Sequence, residues 1–191
     1  MNEHIELGEH AYWAPIPLDE DPEVIRQRYA AGFTSSTLDA DAGAAAMAGV
    51  AAQLQAPTAD GTVNLAAWAR VGVPNELDVQ AFAALRVVPL EEDARDEDVI
   101  ALLTEGHELY QEPVVETLST RSGDALSVRV RPLVHAEDGQ IEVHQINTVL
   151  WSRPQHAALF VLSSYETDLV EATAAAILLD ELAAGIGGMS S

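Results

Sequence analysis

The apolar positions of this chain change period several times, and each change marks an element. The pattern is clearest between Ala125 and Gly185, where Leu126, Val128 and Val130 alternate with Ser127, Arg129 and Arg131. An Asp138-Gly139 turn follows, alternation resumes from Val143 to Trp151, and His156 to Ser163 is apolar at nearly every position. Alternation predicts half-buried strands, whereas a continuous apolar run predicts a strand covered on both faces. The spacing changes to helical after Thr167, the expected cap, with Leu169, Thr173, Ala176 and Ile177 sharing a small-residue face. Three strands followed at once by a helix require that helix to fold back over its own sheet.

Upstream, Asp21-Pro22 opens a helix expected to run to about Ala31, with Gly32 behind it. A second helix opens at Thr37 or Asp39, turns Gly43, Met47, Val50 and Leu54 to one side, and stops at Pro57. Val63, Leu65, Ala67, Ala69 and Val71 then alternate with Thr62, Asn64, Trp68 and Arg70. After a Pro74-Asn75 loop, Val79, Ala81, Ala83, Leu85 and Val87 alternate with Gln80, Phe82 and Arg86, which predicts a hairpin. Glu91-Glu92-Asp93 and Asp96-Glu97-Asp98 lead into a further helix. Its buried stripe reads Ile100, Leu103, His107 and Tyr110, and it ends near Glu112 because Pro113 cannot continue it. Pro113 to Leu118 reads as a short edge strand, and residues 1–20 as an extended arm anchored by Trp13.

Placing Asp138-Gly139 at the centre of a two-residue hairpin pairs Glu137 with Gln140, His135 with Glu142, Leu133 with His144 and Arg129 with Thr148. One face then holds Leu126, Val128, Val130, Val134, Val143, Val149 and Trp151 as core. The other gathers Ser127, Arg129, Arg131, His135, Glu142, His144 and Thr148. Pro132 gives the ladder no donor, so a bulge there would shift this register.

The expected fold class is α+β, an antiparallel sheet covered by helices on both faces as an α/β/α sandwich. All 191 residues form a single domain in this reading: 1–57 hold the arm and two helices, 58–186 the sheet with two helices, and 187–191 a flexible tail. The order helix, hairpin, helix, three antiparallel strands, closing helix resembles the PsbP-like superfold, which photosystem extrinsic proteins share with Ran-binding nuclear import factors. The resemblance covers roughly Gly61 to Gly185 and includes the apolar strand before the last helix and that helix's alanine-rich face. It implies a sandwich used for binding and assembly roles, and it carries over no functional residue. The two helices before Pro57 depart from it.

Charge narrows the partners: 31 acidic residues stand against 9 basic ones, a net charge of −22. Such a surface repels phosphate backbones and anionic lipid, so neither nucleic acid nor membrane is expected. Every basic residue is arginine, which removes lysine Schiff-base and P-loop chemistry, and the absence of Cys removes disulfides and thiolate metal sites. Met1-Asn2-Glu3-His4 lacks the basic and apolar regions of a signal peptide, and the expected location is cytoplasmic.

No catalytic constellation and no cofactor motif is legible. The metal candidate is His135, Glu142 and His144, although a surface His–Glu pair beside an unrelated histidine is the commoner arrangement. Arg129, Arg131 and His135 are the candidate partner-binding residues, against the simpler role of neutralising the chain's own acids. The expected function is therefore a non-enzymatic accessory or protein-interaction module of a bacterial assembly, with another protein as partner. The alternative is a small-ligand-binding protein or hydrolase with a pocket between the sheet and the N-terminal helices, near Trp68, Phe82 and His107.

Overall fold

A computed structural model describes residues 5–32, 37–74, 76–91, 94–136 and 138–189. The expectations placed on Met1 to His4, Asn75, Glu92-Asp93, Glu137 and the Ser190-Ser191 tail lie outside the described residues. The chain groups into two compact units, Glu9–Val87 and Met1–Gly8 with Val88–Ser191.

In Glu9–Val87 the arm is a strand: β1 (Trp13–Ile16) pairs antiparallel with β2 (Val63–Val71), and β2 with β3 (Val79–Pro89). Trp13 is its buried anchor, opposite Arg70. Helices α1 (Pro22–Gly32) and α2 (Thr37–Gln55) lie where the capping and periodicity arguments put them. Asp21 accepts a hydrogen bond from the Glu23 amide at 2.8 Å, the N-cap that the Asp-Pro pair predicts. Ile25, Ala44, Met47 and Ala51 pack with Ile16, Ala67 and Ala69 into an apolar core that Phe82 also joins. A register shift between Asn64 and Ala66 puts Trp68 opposite Ala83 and Phe82 opposite Ala69. Cross-strand partners share a face and neighbours alternate, so Trp68 and Phe82 lie on opposite faces.

In the second unit, α3 (Asp96–Thr104) is followed by β4 (Val114–Thr120), β5 (Gly123–Val130), β6 (Leu133–His135), β7 (Ile141–Val143), β8 (Gln145–Arg153), β9 (Ala158–Glu166) and α4 (Leu169–Gly185). The antiparallel order is β9-β8-β5-β4, with β6-β7 as a small separate ribbon. Helices stand on both faces. Val99 of α3 packs with Val128, Val130, Leu150 and Leu159, while Asp180 of α4 meets Ser127 and Arg129 from the other side. The class is α+β on antiparallel strands.

Four expectations need correction here. The hairpin returns over Ala136 to Gln140, with the Ala136 amide on the Gln140 carbonyl and Gly139 at φ 81°, so the loop has one residue more than the two-residue turn. The pairs become His135–Ile141, Val134–Glu142, Leu133–Val143 and Arg129–Asn147. A one-residue slip exchanges faces: Thr148 stands opposite Val128 among apolar residues, and Val149 pairs with Ser127 on the α4 side. Second, α3 stops at Thr104, because Gly106 takes the left-handed conformation at φ 77°; His107 and Tyr110 lie beyond it and are exposed. Third, His156 belongs to a 3₁₀ turn, and the strand expected there runs instead from Ala158 to Glu166. Fourth, Asp168 rather than Thr167 caps α4, accepting from the Val170 amide at 2.8 Å. The face of α4 that is buried is Ala172, Ala175, Ala176, Leu179, Leu182 and Ala183, while Leu169, Thr173 and Ile177 are exposed. Among the described residues no helix is long and apolar enough to cross a membrane.

Candidate functional site

The α3 face of the second unit is only partly covered, and the cause is length. Nine residues of helix span about 13 Å at 1.5 Å per residue. Eight residues of β5 span about 26 Å at 3.3 Å per residue. Even lying along β5, a helix of that size covers at most about half of it. Val99, Ile100 and Leu103 pack with Val128, Val130 and Ile146. Beside them lies a cleft of about 340 Å³. Its apolar lining comes from Val99, Leu126, Leu150 and Leu159, and its polar lining from Asp96, Thr117, Asp124 and Ser152.

The polar groups follow from local structure. Asp96 is the first residue of α3, where a carboxylate complements the helix dipole, and Asp98 accepts from the Arg95 amide at 2.9 Å. Asp124 lies beside Gly123, which closes the β4–β5 hairpin at φ 96°, and accepts a hydrogen bond from the Ser119 hydroxyl at 3.1 Å. Asp96 and Asp124 are both exposed, whereas Val99, Leu150 and Leu159 beneath them are buried. An apolar floor below a carboxylate rim suits a side chain that is greasy along its stem and cationic at its tip, which describes arginine and lysine.

The proposed metal residues do not converge. His144 is 7% exposed; its Nε2 lies 2.9 Å from a Glu142 carboxylate oxygen and its Nδ1 meets the Tyr165 hydroxyl. The His144 and Tyr165 rings stand edge to face, 5.3 Å apart at 83°. Burial raises the Tyr165 phenol, and the Glu142 charge adds to the effect, so the phenol stays protonated. A carboxylate only accepts, so the Nε2 that faces Glu142 is the donor of that pair. His135 is directed elsewhere, 3.7 Å from Glu108, with both side chains mostly exposed. Both nitrogens of His144 are thus engaged. Among the described residues no group of three His, Cys, Asp or Glu side chains is arranged to hold a metal.

The candidate partner-binding arginines are engaged within the chain. One Arg129 nitrogen lies 2.9 Å from Glu116 and 3.3 Å from Asp180, and Asp180 also accepts from Ser127 at 2.8 Å. Arg131 donates to Gln145 at 2.9 Å. Gln145 in turn donates to Asn147 at 2.7 Å and to the Ala172 carbonyl at 3.0 Å, which gives the polar groups beneath α4 the partners that burial demands.

Of the aromatic trio behind the ligand-binding alternative, Trp68 and Phe82 lie on opposite faces and His107 is exposed. A cleft of about 290 Å³ does lie between the end of α2 and the start of β2, lined by Leu54, Gln55, Val63 and Asn64 among others. Its amides already serve the backbone, Asn64 donating to the Leu54 carbonyl and Gln55 to those of Leu18 and Glu20.

Sequence reasoning missed Tyr165 and the cleft. Tyr165 stands opposite Ile146 because β9 continues past Ser163, and the Ser163-Ser164-Tyr165-Glu166 run has no apolar alternation that would mark it as strand. The cleft had no local signal, since four separate segments supply its floor.

No family model matches this chain and no curated protein matches it. Among solved structures, a mutant of protein Mog1 is similar at 13% identity and a TM-score of 0.44, covering 73% of this chain and 86% of that one.

Proposed function

We propose that this chain is a non-enzymatic protein-interaction module and that the α3-side cleft is where its partner engages it. The observation that carries the reading is the pairing of an apolar floor, Val99, Leu126, Leu150 and Leu159, with a rim bearing Asp96 and Asp124. A chain of net charge −22 attracts cationic segments from a distance, and the cleft gives such a segment a place to bury its methylenes. The partner is accordingly a protein presenting arginine or lysine flanked by apolar residues.

The test is fluorescence anisotropy with a labelled nine-residue peptide alternating valine and arginine, compared with one alternating valine and glutamate. The arginine peptide binds and the glutamate peptide does not. Replacing both rim carboxylates, Asp96→Asn with Asp124→Asn, weakens binding by about tenfold, since charge-assisted contacts contribute roughly 1.5–3 kcal/mol each before solvent screening. Unchanged affinity in that double variant overturns the assignment of the cleft.

A further inference from the structure

We infer that the partner of this interaction reading enters as an added β-strand along β4, an extended arginine- or lysine-bearing segment whose alternate side chains pass over Thr117 into the cleft. Among the described residues β4 ends its sheet order. It pairs with β5 from Val114 to Thr120 without a break in register. In an antiparallel ladder every second residue turns its N–H and C=O away from the paired neighbour, so β4 presents a row of donors and acceptors outward. A row of that kind is the surface used in strand addition.

Protein edges are normally closed to such pairing by lysine, by proline inside the strand, by bulges or by very short strands. β4 has seven residues, Pro113 precedes the strand instead of interrupting it, and no bulge breaks the ladder. Its one charged side chain, Glu116, is held 2.9 Å from Arg129. Val114 and Val115 are 39% and 42% exposed and would be covered by an added strand.

Charge complementarity selects the occupant. Thr117 belongs both to this edge and to the cleft lining, so a strand laid about 4.8 Å outside β4 has alternate side chains beside the opening that Asp96 and Asp124 flank. A second copy of this chain supplies the wrong chemistry, because its own β4 carries Glu116 and no cation, and each copy bears a charge of −22. A partner strand with arginine at alternate positions meets both the hydrogen-bonding edge and the acidic rim.

The experiment uses the native chain and the same alternating valine–arginine peptide in two further forms, one N-methylated at every valine and the other at every arginine. Strand addition uses the N–H groups of one alternate set alone. One methylated peptide therefore loses at least about tenfold in affinity while the other stays within about twofold of the parent. If both keep the parent affinity, or both lose it equally, strand addition is overturned while the cleft reading stands on the parent peptide. If the parent peptide does not bind, the interaction reading falls with it. Sedimentation of the peptide-free chain as a dimer that the peptide cannot dissociate would also overturn the inference, because a second copy would then hold the edge.

Discussion

Gly43 and Gly49 occupy the same helix and differ in what stands beside them. A Cβ on Gly43 would lie 2.6 Å from the Leu77 carbonyl oxygen and 2.9 Å from the Leu77 side chain, whereas one on Gly49 would meet nothing within 4 Å. Glycine in a helix interior ordinarily costs about 0.5–1 kcal/mol relative to alanine. Gly49→Ala should therefore stabilise the chain by about that amount. At Gly43 the close approach of backbone decides the sign, and Gly43→Ala should destabilise by about 1–3 kcal/mol through overpacking. Urea denaturation of both variants checks the pair, and equal effects would show that α2 does not approach Leu77 as described. The small-residue face of α2 is legible in its alanines and glycines and this contact is not, since nothing in their spacing says which of them meets a neighbour.

At the level of elements, α4 offers the sharpest contrast. Leu179 is 1% exposed and Ile177 is 53% exposed, although helical spacing in the sequence favoured Ile177 for the sheet-facing side. Leu179→Ala should cost about 2–5 kcal/mol, and Ile177→Ala no more than about 0.5 kcal/mol as a surface change, both read by thermal or chemical denaturation. The reverse ranking would mean the helix is rotated. The misreading has a plain cause: alanine makes both sides of this helix look alike, and the cap that sets its phase is Asp168, one residue later than Thr167. The hairpin register failed for a similar reason. Asp138-Gly139 marked the turn correctly, but the loop between Ala136 and Gln140 is one residue longer than the turn those two residues usually make. Element positions were legible where periodicity and punctuation agreed, as in α1, α2, β2 and β3. They were misjudged where one Gly, such as Gly106, outweighed a later Pro.

For the molecule as a whole, charge and shape have to be considered together. A charge of −22 on 191 residues is a long-range property that reports on steering and solubility, and alone it names no site. The cleft is a short-range property that depends on α3 being shorter than the strands it lies on. Together they predict that a cationic peptide binds tightly at low salt and more weakly as the Debye length falls from about 30 Å at 0.01 M to about 10 Å at 0.1 M. A residual affinity from apolar burial should persist once the charges are screened. Titration calorimetry across that range checks this, and affinity independent of salt would show that the carboxylate rim takes no part. The most direct test is a residue-resolved one, an amide nitrogen–proton NMR titration of the native chain with the alternating valine–arginine peptide. The largest shifts should fall on Asp96, Val99, Thr117, Asp124 and Leu126, with little change around His144 and Tyr165. Shifts centred on Glu142, His144 and Tyr165, or spread evenly over the acidic surface, would contradict it.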